Sequence, residues 1–542
     1  MLVALLLSPA VVAAQERGSV AGVVVDAATQ QPLAGALVTI QATGASGLTD
    51  ERGRFLLANV PRGTHTLRVQ FLGYELVTRE VTVGATTEPL TIALETDPLR
   101  LDELVVVGYG TERRRAVAGS VASLRPETVK DLPIKSINEI LQGRLAGVQV
   151  TQNSGTPGAA ITVRIRGSSS ISGGNEPLYV IDGVPLHQGG YSAGSTVGFG
   201  GQDIDAISDL NPNEIESIEI LKDASAAAIF GSRASNGVVL ITTKRGTTTR
   251  PEITFGAYYG TQKDWRRLDM LNSPEYIEIY NEGSTARFGP ASDFGYDEWY
   301  GVATAGRTFE TEVQPGVDTD WLAQVMRRAP ISSLEGSVRG GTERVRYYVS
   351  GSSILQEGII QSMGYRRLNG RVNLDYQPLE RLTLGTNIAL ARSVTDRARS
   401  DNTIYGAFAN AIANPPITPV FTEDGDYYET LYANPVGMNN EAEAEERAIR
   451  ILGNAFGVYE LFGGINARLS VGLDQLSNRF RSYDSPNFGP WSANGGAAEA
   501  GNRYINKLTY EGTVNFNRLL GAVHEINGVV GGSYEDNFDE RA

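Results

Sequence analysis

Beyond Pro251 the chain is written in long stretches that alternate apolar and polar residues, and this pattern limits the fold more than any other feature. In Arg371-Val372-Asn373-Leu374-Asp375-Tyr376 every second residue is apolar. Leu382, Leu384, Thr386, Ile388 and Leu390 stand against Arg381, Thr383, Gly385, Asn387 and Ala389. Ile465, Ala467, Leu469, Val471 and Leu473 oppose Asn466, Arg468, Ser470, Gly472 and Asp474. Tyr510, Gly512, Val514 and Phe516 oppose Thr509, Glu511, Thr513, Asn515 and Asn517. A period of two puts successive side chains on opposite faces of a strand. The stretches run to about 9–14 residues, and about 9–11 suffice to cross a bilayer in a tilted barrel wall. A soluble sandwich shows the same period in shorter strands, so length points to a transmembrane barrel, apolar outside and polar inside. About ten strands are predicted, near 252–261, 331–341, 344–355, 365–377, 381–393, 447–460, 463–475, 477–484, 502–517 and 521–535. Tight turns at Gly340-Gly341-Thr342-Glu343 and Gln377-Pro378-Leu379-Glu380 contrast with long connections at Gln262–Arg327 and Asp401–Glu446. That asymmetry suits short periplasmic turns and long extracellular loops.

Composition removes several classes of function. Cysteine is absent, so there is no disulfide frame, thiolate metal site or cysteine nucleophile. The three histidines, His65, His187 and His524, are far apart and in no metal-binding spacing, so neither a metal centre nor a cofactor is expected. A net charge of −15 argues against nucleic acid as a partner. Glycine at 62 and tyrosine at 23 of 542 residues suit a β-rich chain with many turns. Residues 1–14, MLVALLLSPAVVAA, are apolar and end in Val12-Ala13-Ala14 before the polar Gln15-Glu16-Arg17. This reads as a signal peptide, although no Lys or Arg precedes the apolar run. No stretch reaches about 18 apolar residues, so a place in a membrane would mean a barrel.

Residues 18–95 read as a small β-domain. Short apolar runs recur at Val20–Val25, Ala36–Ile40, Phe55–Ala58, His65–Phe71, Glu80–Val83 and Leu90–Leu94, separated by turn signals such as Thr49-Asp50-Glu51-Arg52-Gly53. Six or seven such strands make a sandwich. Asp50 and Glu51 lack the alternating ligands of a calcium loop, so a plain hairpin turn is expected there. The run from Gly22 to Tyr74, with Pro32-Leu33, Gly35-Ala36, Thr49-Asp50, Gly53, Phe55, Pro61 and Gly73-Tyr74, resembles the carboxypeptidase-regulatory-like domain. That resemblance implies an accessory module without catalytic residues.

Thr96-Asp97-Pro98 opens a linker over 96–115, and within it stands Leu101-Asp102-Glu103-Leu104-Val105-Val106-Val107-Gly108-Tyr109-Gly110. Three adjacent valines have strong strand propensity. Such a segment can pair with the sheet edge of another protein, or add one more strand to the neighbouring domain. The region 116–246 carries denser signals. Ser136 has Glu139 three residues on, the spacing of a capping box, so a short helix is expected to Leu141 or Arg144. Val163 and Ile165 alternate with Arg164 and Arg166, ahead of Gly167. Leu178–Ile181 reads as a buried strand turned by Asp182-Gly183. After Lys222, Asp223 is placed to cap a helix through the alanine run, with Gly231 as a left-handed stop before Arg233, and Asn236-Gly237 opens a final strand. The expected fold is a compact α/β plug. Arg164, Arg166, Arg233 and Lys244 either line a substrate path or pair with acids on an inner wall, and the second is favoured because a charge there needs a partner.

Leu141–Val150, Gly158, Ile161–Gly167, Pro177–Pro185, Asn211–Ala234 and Asn236–Gly246 together closely resemble the plug of the SusC/RagA family of TonB-dependent outer-membrane transporters. Counted from the valine segment, the resemblance covers about 140 residues. It implies that Glu103, Leu104, Val105, Val106, Val107, Gly108, Tyr109 and Gly110 form the TonB box. It further implies TonB with its ExbB/ExbD energising complex, a SusD-like surface lipoprotein and outer-membrane lipid as partners. The sandwich and box would lie in the periplasm. The implied activity is active import of an oligosaccharide or peptide, with no catalysis by this chain. A receptor or adhesin that binds without transport is the competing expectation, and a secreted enzyme finds no triad or metal-ligand arrangement. Loop aromatics Trp265, Tyr296, Trp299, Tyr300, Tyr427 and Tyr428 suit sugar stacking or contact with a lid as well as they suit loop packing. Plugged transporters of this kind close with about 22 strands. Ten strands, and an end at Asp536–Ala542 that reads as a loop, lead to the expectation that 252–542 is the first portion of a truncated barrel. The fold class expected overall is mainly β: a small sandwich, an α/β plug and an incomplete antiparallel barrel.

Overall fold

The computed structural model describes residues 17–27, 30–40, 45–71, 74, 77–84, 89–94, 104–107, 110–113, 121–124, 136–152, 154–167, 174–190, 192–193, 204, 207–223, 227–248, 250–288, 316–397, 406–430, 432–462, 464–487, 495–520 and 524–542. The signal-peptide segment 1–14 lies outside these residues.

Seven strands make the N-terminal unit: β1 (Arg17–Asp26), β2 (Leu37–Ile40), β3 (Ser46–Leu48), β4 (Arg54–Pro61), β5 (Gly63–Gln70), β6 (Val77–Val83) and β7 (Leu90–Leu94). They form two sheets, β4-β1-β7 and β3-β2-β5-β6. Val24, Leu57 and Ile92 of the first share one core with Ile40, Leu67 and Val83 of the second, which makes the unit a sandwich. The Asp50 turn is a hairpin turn, as expected. The Asp50 carboxylate accepts from the backbone N–H of Arg54 and of Arg52 at 2.9 Å each. The Arg54 backbone bond, then its side chain, holds the Asp50 carboxyl below its ordinary range. Two further strands, β8 (Leu104–Val107) and β9 (Gly110–Arg113), pair only with each other among the described residues.

The plug follows. Its strands are β10 (Val121–Leu124), β11 (Val148–Gln152), β12 (Ile161–Ile165), β13 (Leu178–Ile181), β14 (Val184–Pro185), β15 (Ile215–Leu221) and β16 (Val238–Thr243). A five-stranded mixed sheet runs β10-β15-β16-β13-β14, and β11 and β12 form a separate hairpin. One face of the sheet carries Tyr179, Ile181, Ile218, Ile220, Val239 and Ile241 against the helix Ile137–Leu141. The other carries Leu178, Val180, Leu221, Val238 and Leu240 against Phe230 and Ala234. Burial on both faces explains the unbroken apolar run Leu178–Ile181. Ser136 caps the short helix, accepting from the Glu139 N–H at 3.4 Å. The alanine segment departs from expectation. Residues 228–234 form a 3₁₀ stretch broken at Gly231, whose φ of 66° and ψ of −154° lie outside the left-handed helical region. Gly231 is therefore a kink inside the segment instead of a helix stop, and residues 224–226 lie outside the described residues.

Nine strands then form one antiparallel meander in strict chain order: β17 (Glu252–Gln262), β18 (Ala329–Gly341), β19 (Val345–Glu357), β20 (Gly364–Leu379), β21 (Leu382–Asp396), β22 (Ala442–Phe462), β23 (Ile465–Asp484), β24 (Ala497–Leu520) and β25 (His524–Arg541). The alternation read from sequence sets the two faces. Val372, Leu374, Leu384, Ile388, Leu469, Val471 and Val514 point outward and are exposed, while Arg371, Asn373, Asp375, Asn387 and Asp474 point inward and are buried. Two expectations need correction. The stretches 463–475 and 477–484 belong to the one strand β23, so the meander has nine described strands where ten were expected. The outward residues turn polar at Gln475, Ser477 and Arg479, but pairing with β24 continues to Asp484. Residues 536–541 also continue strand β25 instead of forming a loop, with Asp536 opposite Leu508 and Arg541 opposite Arg503. The long connections 263–328 and 397–441 carry helices, and the shorter turns lie at the opposite ends of the strands. No helix among the described residues is long and apolar enough to cross a membrane, which says nothing of strands.

Candidate functional site

The plug meets the inward face of the meander through buried polar groups, with apolar contacts at Ile204 and Leu452 beside them. Its centre is Arg371 of β20, only 3% exposed. Its Nε donates to Oε2 of Glu214 at 2.7 Å, and its Nη1 lies 3.6 Å from Oδ2 of Asp182. Ser350 of β19 donates to the other oxygen of Glu214 at 2.7 Å. Local structure aims both acids. Glu214 ends the 3₁₀ turn Pro212–Glu214, which Asn211 caps by accepting from the Asn213 N–H. Asp182 and Gly183 form the two-residue turn between β13 and β14, with φ of 49° and 90°. The Asp182 carboxylate also accepts from the Thr243 N–H at 3.0 Å and its hydroxyl at 2.7 Å. Asn373 then donates to the Lys244 carbonyl at 2.7 Å, and Arg245 reaches Asp375 at 2.9 Å. Such a buried pair needs every charge met, because an unmatched ion costs far more than the pair gains.

A second group grips the plug backbone. Arg367 donates to the carbonyls of Ser208 and Leu210, and Asn369 donates to that of Asp209. Ser393 of β21 holds the Asp209 carboxylate at 3.0 Å. A third group lies on β22 to β25. Arg450 and Asp474 form a two-bonded pair at 2.9 and 2.8 Å, and Asp474 also accepts from the His187 N–H at 3.0 Å. Glu446 accepts from the Ala193 N–H at 3.0 Å. Arg503 donates to the Gly190 carbonyl at 2.8 Å. Burial, reinforced by nearby Arg503, pushes the His187 imidazole below its ordinary value. Glycine stands on both sides where wall and plug approach closely: a Cβ on Gly472 of the wall would lie 2.9 Å from Val184, and one on Gly158 of the plug would lie 2.6 Å from the Tyr365 ring.

The residues singled out from sequence fall into distinct roles. Asp182 and Gly183 are at the seat itself. Arg166, with a φ of 60° beside Gly167 at 115°, pairs with Asp223 inside the plug, and Lys222 donates to the Ala146 carbonyl. Asn236 ties the Gly174 and Glu176 carbonyls, and Gly237 has a φ of 86°. Among the four cations weighed for a path or a wall pair, Arg233 meets Glu535 of β25 and Lys244 donates to the Asn213 carbonyl at 2.7 Å, while Arg164 is exposed. Charge thus crosses the seat in both directions. Plug cations on wall acids were expected from the sequence; the wall cation Arg371 on plug acids was not. Its one signal was the inward position of Arg371 in a strictly alternating strand. In the valine segment, Leu104–Val107 forms β8, and Glu103, Gly108 and Tyr109 lie outside the described residues. Among the described residues no cluster of three or more His, Asp or Glu could hold a metal ion.

A two-faced α/β plug seated by polar groups on the inner side of membrane-length strands defines a plugged barrel of the TonB-dependent receptor class. The profile described as TonB-dependent Receptor Plug Domain matches residues 113–238, and that of the CarboxypepD_reg-like domain matches residues 20–106. The chain is 34% identical over 517 residues to TonB-dependent receptor P26 of Formosa agariphila, covering 93% of this chain and 48% of that protein. It is 31% identical over 418 residues to TonB-dependent receptor SusC of Bacteroides thetaiotaomicron, covering 76% and 37%. The solved structure of the RagAB peptide transporter matches with a TM-score of 0.64 at 26% identity, covering 78% of this chain and 48% of that one. The chain belongs to the SusC/RagA family of TonB-dependent receptors. It spans about half the length of the curated relatives it matches.

Proposed function

We propose that this chain forms part of an outer-membrane importer for a large nutrient, an oligosaccharide or a peptide, energised through TonB. The observation that carries the reading is the polar character of the seat. Ion pairs and hydrogen bonds such as Arg371–Glu214 and Arg367 to the Ser208 carbonyl can be replaced by water when the plug is drawn away. Most of the plug core lies within its own two faces, with Leu452 of the wall packed against one of them, so most of that core stays covered when the plug leaves its seat. A handle is available in β8. Its one strand partner among the described residues is β9, which leaves its other edge for a strand of TonB. On this reading the sandwich and the box lie in the periplasm, the long connections lie outside, and a SusD-like lipoprotein covers the outer opening. That the RagAB neighbour is a peptide transporter supports a peptide as one candidate cargo.

Deletion of Glu103–Gly110 in the full-length protein tests the reading. Uptake of labelled nutrient should fall to background while binding at the cell surface is retained. Unchanged uptake would refute the TonB assignment and favour a receptor or adhesin that binds without transport.

A further inference from the structure

Five arginines stand together on the outward face of the meander: Arg366, Arg392, Arg447, Arg479 and Arg481, all exposed. Register fixes their layout. Arg366, Val394, Arg447 and Arg479 lie opposite one another in turn across β20 to β23 and make one row. Arg392 lies one step inward in the row of Leu368, Ile449 and Ser477. Arg481 lies one step outward, opposite Glu445.

The apolar band gives their depth. The outward positions of β22 run from Tyr459 to Ile449, both about half exposed, and Arg447 comes next. Ten residues at about 3.4 Å each, tilted by about 40°, rise about 26 Å, which matches the roughly 25 Å apolar belt of outer-membrane barrels. The arginines therefore sit just past the belt, at the end of the strands that carries the long connections.

Nothing in the sheet itself explains the row. Arg447 and Arg479 are directly opposed on one face, an arrangement that destabilises an antiparallel pair. Arg447 pairs with Glu445 at 2.6 Å and Arg366 with Asp396 at 3.0 Å. Arg392, Arg479 and Arg481 have no ion-pair partner among the described residues. Glu357, Asp396, Glu443 and Glu445 are the acids on this part of the face, four against five arginines, and Glu357 is taken up by Arg327 at 3.1 Å.

We propose that this belt binds the phosphate groups of an anionic glycolipid of the outer leaflet. A phosphate between Arg447 and Arg479 relieves their repulsion, and the planar guanidinium forks suit its oxygens. The acyl chains then lie along Leu368, Ile449 and Leu390 below it. The inference rests on the outer-membrane placement of the sheet and is independent of transport.

Native mass spectrometry on the full-length protein in detergent tests it, with lipid A carrying both phosphates as the probe. R392Q/R447Q/R479Q should weaken lipid A binding at least about tenfold, the loss of one charge-assisted bond or more. Dephosphorylated lipid A should bind the wild type as weakly. R479E guards against misfolding, because it places an acid opposite Arg447: thermal stability without lipid should be kept or raised while lipid A binding falls. Equal binding by wild type and variants, equal binding of the dephosphorylated lipid, or full competition by millimolar inorganic phosphate would overturn the proposal. A wild type that neither inserts into lipid vesicles nor binds lipid would refute the membrane placement as well. Insertion with unchanged lipid binding in the variants would refute the belt alone.

Discussion

Replacing Arg371 with methionine should loosen the plug more than any other single change at the seat. The side chain is 3% exposed and bonds Glu214, which is also 3% exposed. Methionine fills much of the volume but leaves Glu214 with Ser350 as its remaining bond from the wall, and takes the nearest cation from Asp182. Removing one partner of a buried pair costs about 3–5 kcal/mol. If that cost falls on the seated state, the unseated fraction rises roughly a hundred- to several thousand-fold. The chain has no cysteine, so a single introduced thiol is a clean reporter. Ala448 on the wall is 2% exposed and packs against Ile204 of the plug, so Ala448→Cys should react with a maleimide only when the plug moves. In that background R371M should label faster by the factor above. E214Q should have a smaller effect, because Arg371 keeps Asp182. R371M/E214Q should recover part of the loss, because Glu214 is no longer a stranded charge, while Asp182 is left with its two bonds from Thr243. Equal labelling with and without Arg371, or a double variant as fast as R371M, would refute the view that the plug is held by charge matching.

Two further outcomes follow from the fold. Val471→Arg, at an exposed outward position opposite Ala455 near the middle of the belt, should destabilise the barrel in bilayers by about 2–4 kcal/mol, read from urea unfolding in vesicles. If that face met water, the cost would be within about 0.5 kcal/mol. Gly237→Ala should lower the melting temperature of the plug by the equivalent of about 1–3 kcal/mol, because its φ is 86° and a Cβ would lie 2.8 Å from Ile165. Calorimetry of the full-length protein checks this, and an unchanged melting temperature would contradict the backbone assignment.

What could be read from the sequence was local. A capping residue three positions before its donor, a two-residue turn at Asp182-Gly183 and a period-two strand each lie within a few residues, and each is where it was expected. Strand ends were less legible. Gln475 and Asp536 are polar residues at outward positions, so the alternation is interrupted there while the backbone pairing goes on. The 3₁₀ kink at Gly231 escaped notice because alanines suggest a helix unless tertiary packing prevents one. The seat was illegible for a different reason. Glu214 and Arg371 are 157 residues apart, and only the fold brings an inward strand position opposite a particular plug turn.

The grip of Arg367 and Asn369 on the carbonyls of Ser208, Asp209 and Leu210 bears on how such proteins diversify. Every residue type carries that carbonyl. A wall that reads the course of the main chain here makes no demand of its own on the side chains of Ser208 and Leu210, although the plug core still holds Leu210, while Arg367 and Asn369 have no such latitude. Plug and wall can therefore drift at unequal rates without losing register. A plug exchanged between two members of the family should seat where the host wall supplies the same two donors and a cation for the acids at Glu214 and Asp182, and the guest follows the same backbone path.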